Sequence, residues 1–91
     1  MILEIVTPEA TLFSGEVDSV AVPGMNGEFE MLNNHAPIVS ILKDGFVKIS
    51  GNIQLDEEVE AKFEKKGKAT WLAINSGTIE MKDNKIIVLA D

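Results

Sequence analysis

The chain has no cysteine among its 91 residues. That excludes a disulfide framework, a thiolate metal site and a cysteine nucleophile, and fits a reducing compartment. Histidine and tryptophan occur once each, as His35 and Trp71. One imidazole with scattered acids lacks the spacing of a metal centre, so neither a metal nor a cofactor is expected. Basic residues are scarce: eight against fifteen acids give a net charge of −7. Such a chain lacks the footprint of a nucleic-acid binder and is disfavoured on anionic lipid. Its charged partners should be basic. No apolar run approaches a membrane span, so direct lipid insertion is not expected. The opening Met1-Ile2-Leu3-Glu4-Ile5 has neither the positive flank nor the long apolar centre of a signal peptide. These features predict a cytosolic or stromal protein. No Gly-x-Ser-x-Gly elbow and no Walker-type lysine loop occurs, so neither chemistry is expected through those motifs.

What the chain does hold is a series of short apolar stretches divided by turn residues. Residues 2–7 are rich in β-branched side chains and stop at Pro8, as a strand would. Residues 10–13 and 16–22 flank Ser14-Gly15, where a glycine predicts a bulge or tight bend. Residues 28–32 and 38–42 are further short strands, and Asp44-Gly45 predicts a hairpin into residues 46–50. Residues 70–74, 78–82 and 85–90 follow, divided by Asn75-Ser76-Gly77 and Asp83-Asn84. Residues 78–82 alternate cleanly, which gives one wet face. In Ile86-Ile87-Val88-Leu89 the alternation is lost, so that strand should lie between two layers or against a partner. Residues 56–66 carry both signals. Glu58 and Lys62 are four apart, as on a helix, whereas Val59, Ala61 and Phe63 alternate with charges; the alternation and Gly67 favour a strand. The expectation is an all-β domain over residues 1–91, a sandwich of two antiparallel sheets with about nine to ten short strands.

The densest run of unusual chemistry is Gly27-Glu28-Phe29-Glu30-Met31-Leu32-Asn33-Asn34-His35-Ala36-Pro37. It follows Pro23-Gly24-Met25-Asn26-Gly27, a doubled turn signal whose glycines accept positive φ. A strand here would put Glu28 and Glu30 on one face, and Pro37 forces an extended backbone on Ala36. A polar, turn-bounded loop on a strand-rich chain is a presented surface. Plainer readings stand beside that one. Acids on an edge strand guard against edge pairing, and a loop histidine is more often structural than catalytic. Trp71, in an apolar strand, is more often core than platform. Met25 and Met31 suit an adaptable interface or a gap in the core equally well. Lys62, Lys65, Lys66 and Lys68 make a solvated surface by default, since no glycine-rich loop opens a helix there.

At these residues the chain resembles the epsilon subunit of the rotary F-type ATP synthase. That family carries a Gly-Glu followed, after six residues, by His-Ala-Pro, met here by Gly27, Glu28, His35, Ala36 and Pro37. Thr7-Pro8-Glu9, Phe13-Ser14-Gly15, Asp44-Gly45 and Val88-Leu89-Ala90-Asp91 agree in order along the chain. The family's glycine two places after the glutamate is Glu30 here, and its Pro-Gly before the histidine is Asn33-Asn34. The resemblance covers the family's N-terminal β-domain only. The C-terminal helical hairpin that inhibits hydrolysis or binds ATP in many members has no counterpart, so inhibition by helix insertion is not expected.

The resemblance implies a non-catalytic subunit of the central stalk, linking the gamma subunit to the c-ring and coupling proton-driven rotation to ATP synthesis. It would sit as a peripheral subunit on the cytoplasmic face of the bacterial inner membrane or an equivalent coupling membrane. It implies a c-ring contact at Glu28, Phe29 and Glu30, and a gamma-subunit contact at His35, Ala36, Pro37 and Ile38 on the same end of the sandwich. Residues 52–69 are longer than the family pattern and should form an extended hairpin or added excursion. The alternative is a stand-alone β-sandwich binding module for a protein or carbohydrate partner, which would want exposed aromatics. An enzyme would need a convergent polar pocket, and one histidine supplies little.

Overall fold

The computed structural model describes all 91 residues, Met1–Asp91. Ten strands form in chain order: β1 (Ile2–Val6), β2 (Thr11–Glu16), β3 (Ser19–Gly24), β4 (Gly27–Met31), β5 (Ile38–Leu42), β6 (Gly45–Ser50), β7 (Phe63–Lys66), β8 (Ala69–Ile74), β9 (Gly77–Lys82) and β10 (Lys85–Ala90). One ladder curls into two layers, β2-β1-β10-β9-β5 and β4-β3-β6-β8-β7. The layers join edge to edge where Gly24 of β3 meets Leu42 of β5. Pairing is antiparallel except between β1 and β10, which run parallel from Ile2 beside Lys85 to Val6 beside Leu89. That pair departs from the expected all-antiparallel sheets. A parallel pair needs a long crossover, and here the whole intervening chain supplies it.

Alternation builds the core. Leu3, Ile5, Ile79, Met81, Ile86 and Val88 point inward from the first layer, each at most 1% exposed. Val20, Val22, Met31, Val47 and Ile49 meet them from the second, fully buried. All belong to one contiguous apolar cluster. Burying a Val, Leu or Ile side chain is worth about 1.5–3 kcal/mol, and the β-branched majority suits a pleated surface. Every buried side-chain nitrogen and oxygen has a hydrogen-bond partner. Met31 is thus a core residue, whereas Met25 is exposed at the β3–β4 turn.

Three local expectations are corrected. Ser14-Gly15 lies inside β2, and the chain turns instead at Val17-Asp18, where the Asp18 N–H donates to the Ser50 carbonyl at 2.8 Å. The bulge falls at Leu12, because Ile5 faces Phe13 while Val6 faces Thr11. That extra residue lets Leu12 and Phe13, adjacent in sequence, both reach the interior. Asp44-Gly45 is not a hairpin: β5 pairs with β9, and β6 with β3 and β8. The bend carries the chain from one layer to the other, with Gly45 pressed against Pro23.

Residues 56–66 are a strand only over Phe63–Lys66. Before it, the Val59 and Glu60 N–H groups both donate to the Asp56 carbonyl, and Glu60–Lys62 forms one 3-10 turn. The helical spacing was therefore real but too short to propagate. Ile53 is buried, Leu55, Val59 and Phe63 lie on the core, and Lys62 shares a surface hollow with Leu12 and Leu72. This segment covers the free side of the sandwich between β7 and β2.

Candidate functional site

Gly27 opens β4 at φ 120°, and Met25-Asn26 joins it to β3 with Gly24 opposite Gly27. From there the strand period sends Glu28 and Glu30 outward and turns Phe29 and Met31 toward the core. The two acids share one face of an edge strand. Phe29 is half-buried against the apolar cluster, so this trio offers a partner two carboxylates rather than a ring.

Glu28 already holds a cation. Its Oε1 lies 2.7 Å from Lys48 Nζ, and that same nitrogen sits 4.3 Å from the centre of the Trp71 ring. Lys66 Nζ approaches the ring at 5.2 Å, and Phe46 packs beside it with centroids 5.1 Å apart. Register explains the cluster. Lys48 is opposite Trp71 on β8 and beside Ala21 on β3, and the small alanine leaves the lysine free to reach across to β4. Trp71, expected in the core, lies half-buried on the outer face because Thr70 and Leu72 take the inward positions. Lysine stems and cations cover its ring. Lys48→Met should change unfolding free energy by less than about 1 kcal/mol, since the pair is solvent-screened, while Trp71 fluorescence shifts measurably. A fall in Tm beyond about 8 °C would show the pair to be structural instead.

The second group lies beyond the other end of β4. Three steps along the strand lead from Glu28 to Met31, about 10 Å, and the loop starts after that. The Glu28–Glu30 group therefore runs along β4, and the loop that presents His35 follows directly after Met31. Residues 32–37 are all exposed. The His35 N–H donates to the Leu32 carbonyl at 3.1 Å, closing a turn in which Asn34 adopts φ 64°. His35 Nδ1 donates to the Ala36 carbonyl at 2.7 Å. A carbonyl only accepts, so Nδ1 carries a proton in this contact. That bond holds the ring against the backbone rather than aligning it with a nucleophile.

Ile38 turns inward beside Met81 and packs on the core, which leaves it half-buried. The outward positions of β5 are Val39 and Ile41, 76% and 64% exposed. Pairing sets Val39 beside Glu80, with Ile87 on the far side of that glutamate, and Ile41 beside Thr78, with Leu89 and then Val6 following in the same cross-strand row. An apolar band thus crosses the outer face of the first layer, with Leu89 also exposed. The sequence reading passed over Val39 and Ile41, although Ile38-Val39-Ser40-Ile41-Leu42 is apolar on both alternating faces. Ile87 and Leu89 carried the same signal and were read. Clustered exposed apolar side chains mark interaction surfaces.

Known proteins share this sequence pattern and fold. The family model for the ATP synthase Delta/Epsilon chain, beta-sandwich domain, matches residues 1–91. The ATP synthase epsilon chain of Chlorobaculum tepidum is 39% identical over 89 residues, covering 98% of this chain and 86% of that protein. The ATP synthase epsilon chain of Campylobacter concisus is 38% identical over 89 residues, 98% of this chain and 59% of its own. The chain therefore spans little more than half the length of the latter relative. Two solved structures share the fold at low identity. A chain of the Tetrahymena thermophila mitochondrial ATP synthase central stalk/c-ring aligns with TM-score 0.71 at 14% identity, covering 99% of this chain and 62% of that one. A chain of the Euglena gracilis mitochondrial ATP synthase aligns with TM-score 0.73 at 17% identity, covering 99% of this chain and 49% of that one. On a match that runs from Met1 to Asp91, the chain belongs to the ATP synthase delta/epsilon chain β-sandwich family.

Proposed function

We propose that this chain is the β-sandwich of an epsilon-type, non-catalytic subunit in the central stalk of a proton-translocating F-type ATP synthase. It links the gamma subunit to the c-ring and so couples proton-driven rotation to ATP synthesis. On this reading it is a peripheral component on the cytoplasmic side of the coupling membrane. The observation that supports it best is one close-packed block with two separate presented surfaces. A carboxylate pair stands on the outer face of β4; a proline-stiffened loop and the apolar band lie toward the other layer. Close-packed cores transmit strain, as a coupling piece must.

Glu28 and Glu30 suit basic side chains on a polar loop of the c-ring, where a charge-assisted pair can form. A c-ring cation would displace Lys48, which then remains over Trp71. His35, Ala36 and Pro37 suit the gamma subunit, and Val39, Ile41 and Leu89 extend that contact where Ile38 turns away. The test is Glu28→Lys in the assembled enzyme. The domain should stay folded, ATP hydrolysis should continue, and proton pumping by membranes should fall. Unchanged pumping removes Glu28 from the contact. A pull-down with the unsubstituted chain that recovers no synthase subunit ends the stalk reading altogether.

A further inference from the structure

The loop over residues 32–37 is exposed throughout and has no apolar anchor of its own. Two distant groups hold it: the Met1 amino group, which donates to Asn33 Oδ1 at 3.3 Å, and the β9–β10 turn fifty residues away. Asp83 and Asn84 take φ of 52° and 61°, the doubly left-handed form of a two-residue hairpin. Asn84 Oδ1 accepts the Asn34 N–H at 2.8 Å, and Asn84 Nδ2 donates to Asn33 Oδ1 at 2.8 Å. The Asn84 carbonyl accepts the Ile2 N–H at 3.1 Å, which ties the turn to β1. One side chain thus uses both halves of its amide on two successive loop residues, while its own backbone is fixed to the sheet.

Resting on the reading of this loop as a subunit contact, we infer that Asn84 is a positioning residue. It clasps the Asn33-Asn34 turn and fixes, before a partner arrives, the loop that presents His35, Ala36 and Pro37. Ordering a loose loop on binding weakens association, and each residue fixed in advance removes part of that loss. Asn33-Asn34 supplies in side-chain hydrogen bonds what a stiffer dipeptide would supply in its backbone. Neither asparagine needs to touch the partner for this to matter.

Hydrogen exchange on the whole chain tests the clasp without a partner, and titration with the gamma subunit tests its role. Asn84→Gly keeps the left-handed turn accessible and deletes the amide. It should speed exchange at the Asn34 N–H by about tenfold or more, with β10 protection retained, and weaken gamma binding by about tenfold. Asn33→Asp keeps an acceptor for Asn84 Nδ2 and should stay within about twofold of the parent in both measurements, a rescue that general destabilisation would not produce. Asn33→Ala should fall between the two. Unchanged Asn34 exchange in Asn84→Gly overturns the inference, as does faster exchange with unchanged affinity. If the parent chain fails to bind gamma at all, the contact reading fails and this role with it, while exchange at Asn34 still reports separately on the clasp.

Discussion

Val39→Lys combined with Ile41→Lys is expected to leave the domain folded while lowering its affinity for the gamma subunit by about 100-fold or more. Both side chains stand on the outer face of β5, 76% and 64% exposed, and neither contributes to the buried cluster. Lysine at position 39 would also face Glu80 across the β5–β9 pair, an opposite-charge neighbour that offsets its poorer strand preference. The Tm should therefore move by no more than about 5 °C. Binding is another matter. Two apolar contacts of about 2 kcal/mol each are lost, two cations would be desolvated, and each 1.4 kcal/mol is tenfold. Titration calorimetry with purified gamma subunit reads the effect. Parent-like affinity would remove the band from the interface, and a domain unfolded by the pair would show that β5's outer face is structural.

The elements were legible because each short strand carries its own pattern. Lys85–Ala90 falls where the residues placed it, and the Asp83-Asn84 turn precedes it as read. What single strands do not encode is which neighbour they find. Asp44-Gly45 looked like a hairpin because a local turn signal is the same whether the chain doubles back or crosses to the other layer. The parallel β1–β10 pair was invisible for the same reason: nothing local to residues 2–6 or 85–90 names the other.

At the candidate site the motif residues were legible, but their surroundings were not. Glu28 and Glu30 share a face as period-two alternation requires. Yet the Glu28–Lys48–Trp71 cluster depends on three strand registers at once, and the Asn84 clasp joins residues fifty positions apart. Val39 and Ile41 were missed for a simpler reason. An apolar strand is first assigned to a core, and only the pairing of β5 with β9 shows which of its faces is left uncovered.

Gly77→Ala should be the most destabilising single methyl added to this chain. Gly77 opens β9 between two strands, opposite Leu42 of β5 and Ala90 of β10. A Cβ there would run into the Leu89 carbonyl oxygen and stand 3.3 Å from the Ala90 Cα. Both neighbours are backbone, so neither can rotate away; relief requires β10 to shift off β9. Overpacking of that kind costs about 1–3 kcal/mol, against a total of about 5–14 kcal/mol for a domain this size. Thermal melting should show the Tm lowered by roughly 4–20 °C. Gly67→Ala is the informative contrast. Gly67 sits at φ 62° with nothing within 4 Å of the added carbon, so its cost is backbone strain alone, about 1–2 kcal/mol. If Gly77→Ala melts with the parent, the β9–β10 spacing has slack that its ladder does not suggest. If it melts low as expected, both proposed gamma-facing features should loosen with it, since β10 carries Leu89 and the β9–β10 turn carries Asn84.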